Sequence, residues 1–307
     1  TTQISSLTTT QIGGIETTDL AAFNTTQITA LTTTQMVSLN STQFGAIETT
    51  DLAALTSTQF RVLTTTQIAG LSTTQTGILT TTQLSSLTTT QVRAIETTDL
   101  VVLTTTQFGA LTTTLVAALS TTQIAGLSTT VIGGMTTTGL SALTGTQIVA
   151  LTTTQVTEIT TTQIVDLTTT FLRALETTDI PFLAVTTTEL AMLSTTQLLS
   201  LSTSQIASLA TTAVAGMTGG QFIGLTSTFI QALTTTQLSV FNTTQIAALT
   251  TTNIVGLSTT QISSLSTTQI GGLETTDIAA MTDAQVNGFT STQVGAMTTS
   301  QVNVLFL

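Results

Sequence analysis

Residues 8–15 read Thr-Thr-Thr-Gln-Ile-Gly-Gly-Ile, and what this octad becomes on repetition decides the fold. A large apolar residue closes each copy. Leu7, Ile15, Phe23, Leu31, Leu39, Ile47, Leu55 and Leu63 open a series that holds register to Leu175 and resumes from Leu193 to Leu305. The consensus is Thr-Thr-Thr-Gln-Ile-x-x-Leu, with Ser, Asn or Glu at times in first place. Self-similarity at so short a period predicts a stacked array in which each unit buries its apolar side against its neighbours. One continuous octad-repeat solenoid is expected over residues 1–307, with a single break of register at 180–185.

With the positions numbered one to eight, a hydroxyl residue at one and Gln at four precede an apolar residue at five. That spacing is the capping-box signature of a helix start, in which the position-one side chain accepts from the position-four amide and the Gln reaches back. Positions five and eight then share one helical face. Small residues at six and seven let adjacent elements approach closely. The favoured fold is an all-α repeat solenoid with one short capped helix per octad. The alternative is a β-solenoid, for which Thr and Ile have the right propensity and Gly-Gly pairs such as Gly13-Gly14 would make corners. A half-buried strand, however, would send positions five and eight to opposite faces, and four consecutive polar residues are not an alternation. The octad also resembles the Leu-Thr-Pro-x-Gln-Val-Val-Ala-Ile segment that begins a helix in TAL-effector repeats. This resemblance extends over one octad at a time and implies the same helix start.

A variant octad beginning Glu-Thr-Thr-Asp occurs at Glu16, Glu48, Glu96, Glu176 and Glu274. Its spacings are multiples of sixteen once a two-residue insertion within 176–185 is discounted, which predicts about two octads per turn of the coil.

Composition restricts the chemistry. There is no His, Cys, Trp or Tyr, and the three cations are Arg61, Arg93 and Arg173, set against 14 acids for a net charge of −11. Disulfides and thiolate metal sites are excluded, the usual nucleophile–base pairs cannot be assembled, and a cationic nucleic-acid surface is absent. No apolar run approaches the roughly 18–20 residues that span a bilayer. No enzymatic activity, cofactor, metal, small-molecule substrate, nucleic acid or membrane insertion is therefore expected. A first residue of Thr rather than Met reads as a processed product or an excerpt.

Several constellations remain as candidates. The paired carboxylates of the Glu-Thr-Thr-Asp octads would suit calcium or acid–base work, but two acids without a ligand-dense loop make a poor site, and carboxylates near a helix start are favoured by the macrodipole anyway. Ion pairs are expected for Arg93 with Glu96, Arg173 with Glu176, and Arg61 with Asp51. Position four carries Leu115, Val131, Phe171, Ala213 and Phe229 where Gln is the rule. If that position is partly exposed, Leu115, Val131, Phe171 and Phe229 are candidate contacts with another subunit; otherwise the core widens there. Pro181 and Phe182, in the insertion, should bring a kink or bulge and are further contact candidates.

The Thr/Gln octad is similar to low-complexity repeats in very large surface or adhesin-like proteins of bacteria. That resemblance implies a cell-surface or extracellular setting and supplies no binding residue. The expected function is structural: a self-assembling subunit of an extracellular filament, sheath or surface layer, whose partners are copies of itself. A passive stalk of a large surface adhesin is the first alternative, and a Thr-rich ligand- or ice-binding solenoid the second.

Overall fold

A computed structural model describes residues 2–183 and 186–306. Among these residues there are 38 short helices and no strand. Almost every octad contributes one helix of four to seven residues. The chain is therefore a helical repeat solenoid, and the β-solenoid alternative is set aside.

Residues 64–71 show why each helix starts and stops where it does. Thr64 is extended, at φ −73° and ψ 157°, and its Oγ1 accepts from the Gln67 amide at 3.2 Å. Gln67 Oε1 accepts in return from the Thr64 N–H at 2.8 Å, which completes the capping box. The helix Thr65–Ala69 ends at Gly70, and the Leu71 N–H closes the last turn on the Ile68 carbonyl at 3.3 Å. Ser72, extended again at ψ 159°, then caps the next helix. Helices this short do not persist alone in water, so their stability must come from stacking. Positions five and eight supply it. Ile124 is fully buried and Leu127 is 4% exposed, each burial of this kind contributing about 2 kcal/mol.

The chain divides into two compact units, Thr1–Glu158 and Ile159–Leu307. In the first, helix Thr9–Gly13 packs on Thr33–Ser38, and Ser41–Gly45 on Thr65–Ala69, each three octads along. In the second, Thr203–Ser208 packs on Ser227–Ala232, and Thr275–Ala279 on Thr299–Leu305, again three octads along. Within both units, side chains also reach back four octads. Each turn therefore takes between three and four octads, and the expectation of two octads per turn is corrected. The Glu-Thr-Thr-Asp spacing does not report the coil, because the stacking contacts are set by the octad and not by that variant.

The break of register is narrower than the sequence indicated. Leu183 is buried and occupies position eight, so the octad 176–183 is complete and the two added residues are 184 and 185. Those two lie outside the described residues. Pro181 acts within its own octad. It lacks the N–H that position six normally gives to position two, the first turn at 177–179 is a turn only, and a helix forms over Ile180–Leu183.

Candidate functional site

The recurrent polar feature of both units is the position-four side chain, which points inward. In the first unit, Gln35 Nε2 donates to the carbonyls of Leu7 and Ile4, both at 2.8 Å, 28 and 31 residues earlier. Gln67 does the same to Leu39 and Met36, and Gln147 to Leu119 and Val116. In the second unit, Gln237 bonds Leu209 and Ile206, and Gln301 bonds Leu273 and Ile270. One carboxamide thus does two jobs: its oxygen caps its own helix, and its nitrogen ties that helix to carbonyls four octads back, at position eight and at five or, as for Gln43 and Gln75, six. Each such bond contributes about 1 kcal/mol net, and each buried carbonyl left without it costs more. The ladder crosses the two-residue insertion intact. Gln205 reaches Leu175 and Leu172 over 30 and 33 residues instead of 28 and 31.

The exceptions at position four are equally informative. Asn253, one methylene shorter, keeps only the bond to the Leu225 carbonyl, at 2.9 Å. Leu115, Val131, Phe171, Ala213 and Phe229 are all buried, at 3% exposure or less. Leu115, Val131, Phe171 and Phe229 are therefore core side chains and offer no exposed subunit contact; the position faces inward, and the apolar residues plug it. Phe182 is exposed and Pro181 half-buried.

The acidic octads follow the same logic. Asp51 and Asp99 are buried and accept from the hydroxyls of Thr25 and Thr73, three octads earlier, the second at 2.7 Å. Burial, with the Glu176 charge second, raises the Asp179 carboxyl above its ordinary pKa. For Asp277, burial raises it most, the Glu274 backbone N–H lowers it, and the Glu274 charge raises it again. Among the described residues none of the expected arginine pairs brings a guanidinium nitrogen within 4.0 Å of its carboxylate. Arg61 is exposed while Asp51 faces the interior. Arg93 and Arg173 sit near the ends of helices Thr89–Ala94 and Thr169–Ala174, beyond which the chain turns extended. Glu96 stands at φ −66° and ψ 149°, so a separation of three residues does not place it on the arginine's helical face. Among the described residues no group of three or more His, Cys, Asp or Glu side chains could hold a metal ion. Among them, too, no helix is long and apolar enough to cross a membrane.

One octad leaves position four vacant. Gly139 occupies it in residues 136–143, and a cavity of about 230 Å³ opens there, lined among others by Phe108, Gly109, Leu111, Val116, Met135 and Thr136.

Short capped helices, an apolar pair per octad and an inward ladder of carboxamides define a class of helical octad-repeat solenoids. Six stretches, residues 12–46, 44–81, 92–129, 116–153, 246–275 and 270–305, match the ALTTAQ repeat and together span more than half of the chain. The chain belongs to the ALTTAQ repeat family. Residues 30–35, Ala-Leu-Thr-Thr-Thr-Gln, show how this chain carries the motif, with Thr in place of the second Ala. No curated relative and no solved structure matches it.

Proposed function

We propose that the chain is a non-enzymatic structural element, a self-stacking subunit of an extracellular filament, sheath or surface layer. The observation that carries this reading is the translational ladder. Most octads donate a position-four carboxamide to the octad four behind, at its position-eight carbonyl and at that of position five or six. A donor–acceptor set that recurs along the chain does not distinguish a further turn of the same chain from a turn of another copy, and heterologous contacts that do not close make filaments. The polar residue inventory agrees, since it lacks the thiol and imidazole groups of common active sites.

The test is sedimentation and negative-stain microscopy of the purified chain over a range of concentrations. Filaments that lengthen with concentration are expected. A chain that remains a monomer at all concentrations overturns self-assembly and leaves the role of a passive stalk.

A further inference from the structure

We propose that the cavity at Gly139 is a binding site for a small primary carboxamide, of the size of propionamide. This rests on the ladder geometry and is independent of any structural role for the chain.

The neighbouring octad shows what the site is built to hold. Eight residues on, Gln147 Nε2 donates to Val116 and Leu119 at 2.8 Å each, while its Oε1 accepts from the Thr144 N–H at 2.8 Å and from Thr144 Oγ1 at 3.1 Å. Shifted by one octad, the same four partners are the carbonyls of Phe108 and Leu111 and the N–H and hydroxyl of Thr136. All of these residues line the cavity. The helix itself is capped without any side chain at 139, because Thr136 Oγ1 accepts from the Gly139 amide at 3.1 Å. The frame is therefore complete and only the carboxamide is missing. Replacing Gln by Gly removes two methylenes and a carboxamide, which together are propionamide less a hydrogen.

The space and its access suit that occupant. The volume exceeds several times the roughly 30 Å³ that a water molecule takes up in the liquid. Buried Val116, Phe108 and Met135 form an apolar lining for the two carbons. A Cβ at Gly139 would meet nothing closer than the Met135 methyl at 3.3 Å, a flexible group that can give way. Gly109 and Thr138, both exposed, leave the cavity reachable from solvent. The polar groups present two acceptors to an NH₂ group and two donors to a carbonyl. Carboxylates lack the first, and fully N-alkylated amides lack it as well.

The experiment uses the full chain labelled with [15N]glycine, which has 20 glycines, titrated with propionamide. Saturable shifts of the Gly109 and Gly139 amides, with the remaining glycines unmoved, are the expected result. Propionate and N,N-dimethylpropionamide should bind at least about tenfold more weakly, since each forfeits two buried hydrogen bonds. In Gly139→Gln, where the chain fills its own cavity, the Gly109 response should vanish. The proposal is overturned if the shifts stay linear, spread over all glycines, are equalled by the dimethyl amide or propionate, or persist at Gly109 in Gly139→Gln.

Discussion

Residues 80–95 and residues 112–143, both in the first unit, contain the same octad yet fill position four in opposite ways. In the former, Gln83 and Gln91 are buried and bond the carbonyls of Leu52 and Leu55 and of Phe60 and Leu63. In the latter, Leu115 and Val131 plug the position with hydrocarbon, Gly139 leaves it hollow, and only Gln123 keeps the carbonyl bonds, to Val92 and Ile95. All six helices nevertheless start in the same manner, since the position-one hydroxyl accepts from the position-four backbone amide whatever the side chain. Helix initiation and lateral bonding are thus separable. The octad fixes the first through the backbone and leaves the second to one side chain.

Substitutions at position four should break this comparison most sharply. Gln83→Glu retains the cap but aims an ionised carboxylate at the Leu52 and Leu55 carbonyls, and should cost about 3 kcal/mol or more at neutral pH. Long repeats need not unfold in one step, so the deficit is best read by local hydrogen exchange at residues 52–60 as well as by urea denaturation. Acidification that protonates the introduced carboxyl should recover part of it. Next in size, Thr76→Val should stabilise the chain by about 1–2 kcal/mol. The Thr76 hydroxyl is buried at position five without a hydrogen-bond partner, and its removal relieves that desolvation. Gly139→Gln should gain about 1 kcal/mol by adding the missing bonds, visible as a raised thermal midpoint. A gain as large from Gly139→Leu would show that filling matters and bonding does not.

The smallest effect concerns pH. The Asp179 and Asp277 carboxyls sit above their unfolded pKa values, chiefly through burial, so the folded state favours their protonated forms. Their contribution is fully present below the ordinary aspartate range and is lost as pH rises through the raised values. The double variant Asp179→Asn, Asp277→Asn should therefore lose less stability than the parent between acidic and neutral pH. Denaturation midpoints across that window would check it, and an unchanged pH slope would refute it.

The helices and their caps were legible because a hydroxyl followed three residues later by Gln is a local signal, decided within one octad. The ladder was not, since it joins residues about 28 apart whose partners are backbone carbonyls and leave no side-chain signature. One clue was available. A capping box accepts Glu as readily as Gln, but this chain uses Glu at position four only at Glu189, so a donor was required there for a second purpose. The sequence alone left position four open between surface and core, and Phe171 and Phe229 lie in the interior with the Gln side chains they replace. The arginine pairs failed for a related reason: spacing along the sequence was treated as spacing on a continuous helix, and the chain turns extended between Arg93 and Glu96.

Among the described residues no backbone torsion φ is positive, at glycine or elsewhere. Every corner is made from extended and right-handed helical states that any L-amino acid adopts without strain. Glycine is demanded only where elements crowd, as at Gly216, where an added Cβ would run into the Thr187 backbone. A gene encoding such a chain can gain or lose whole copies of its unit by unequal recombination, and no junction thereby created calls for a specially shaped residue.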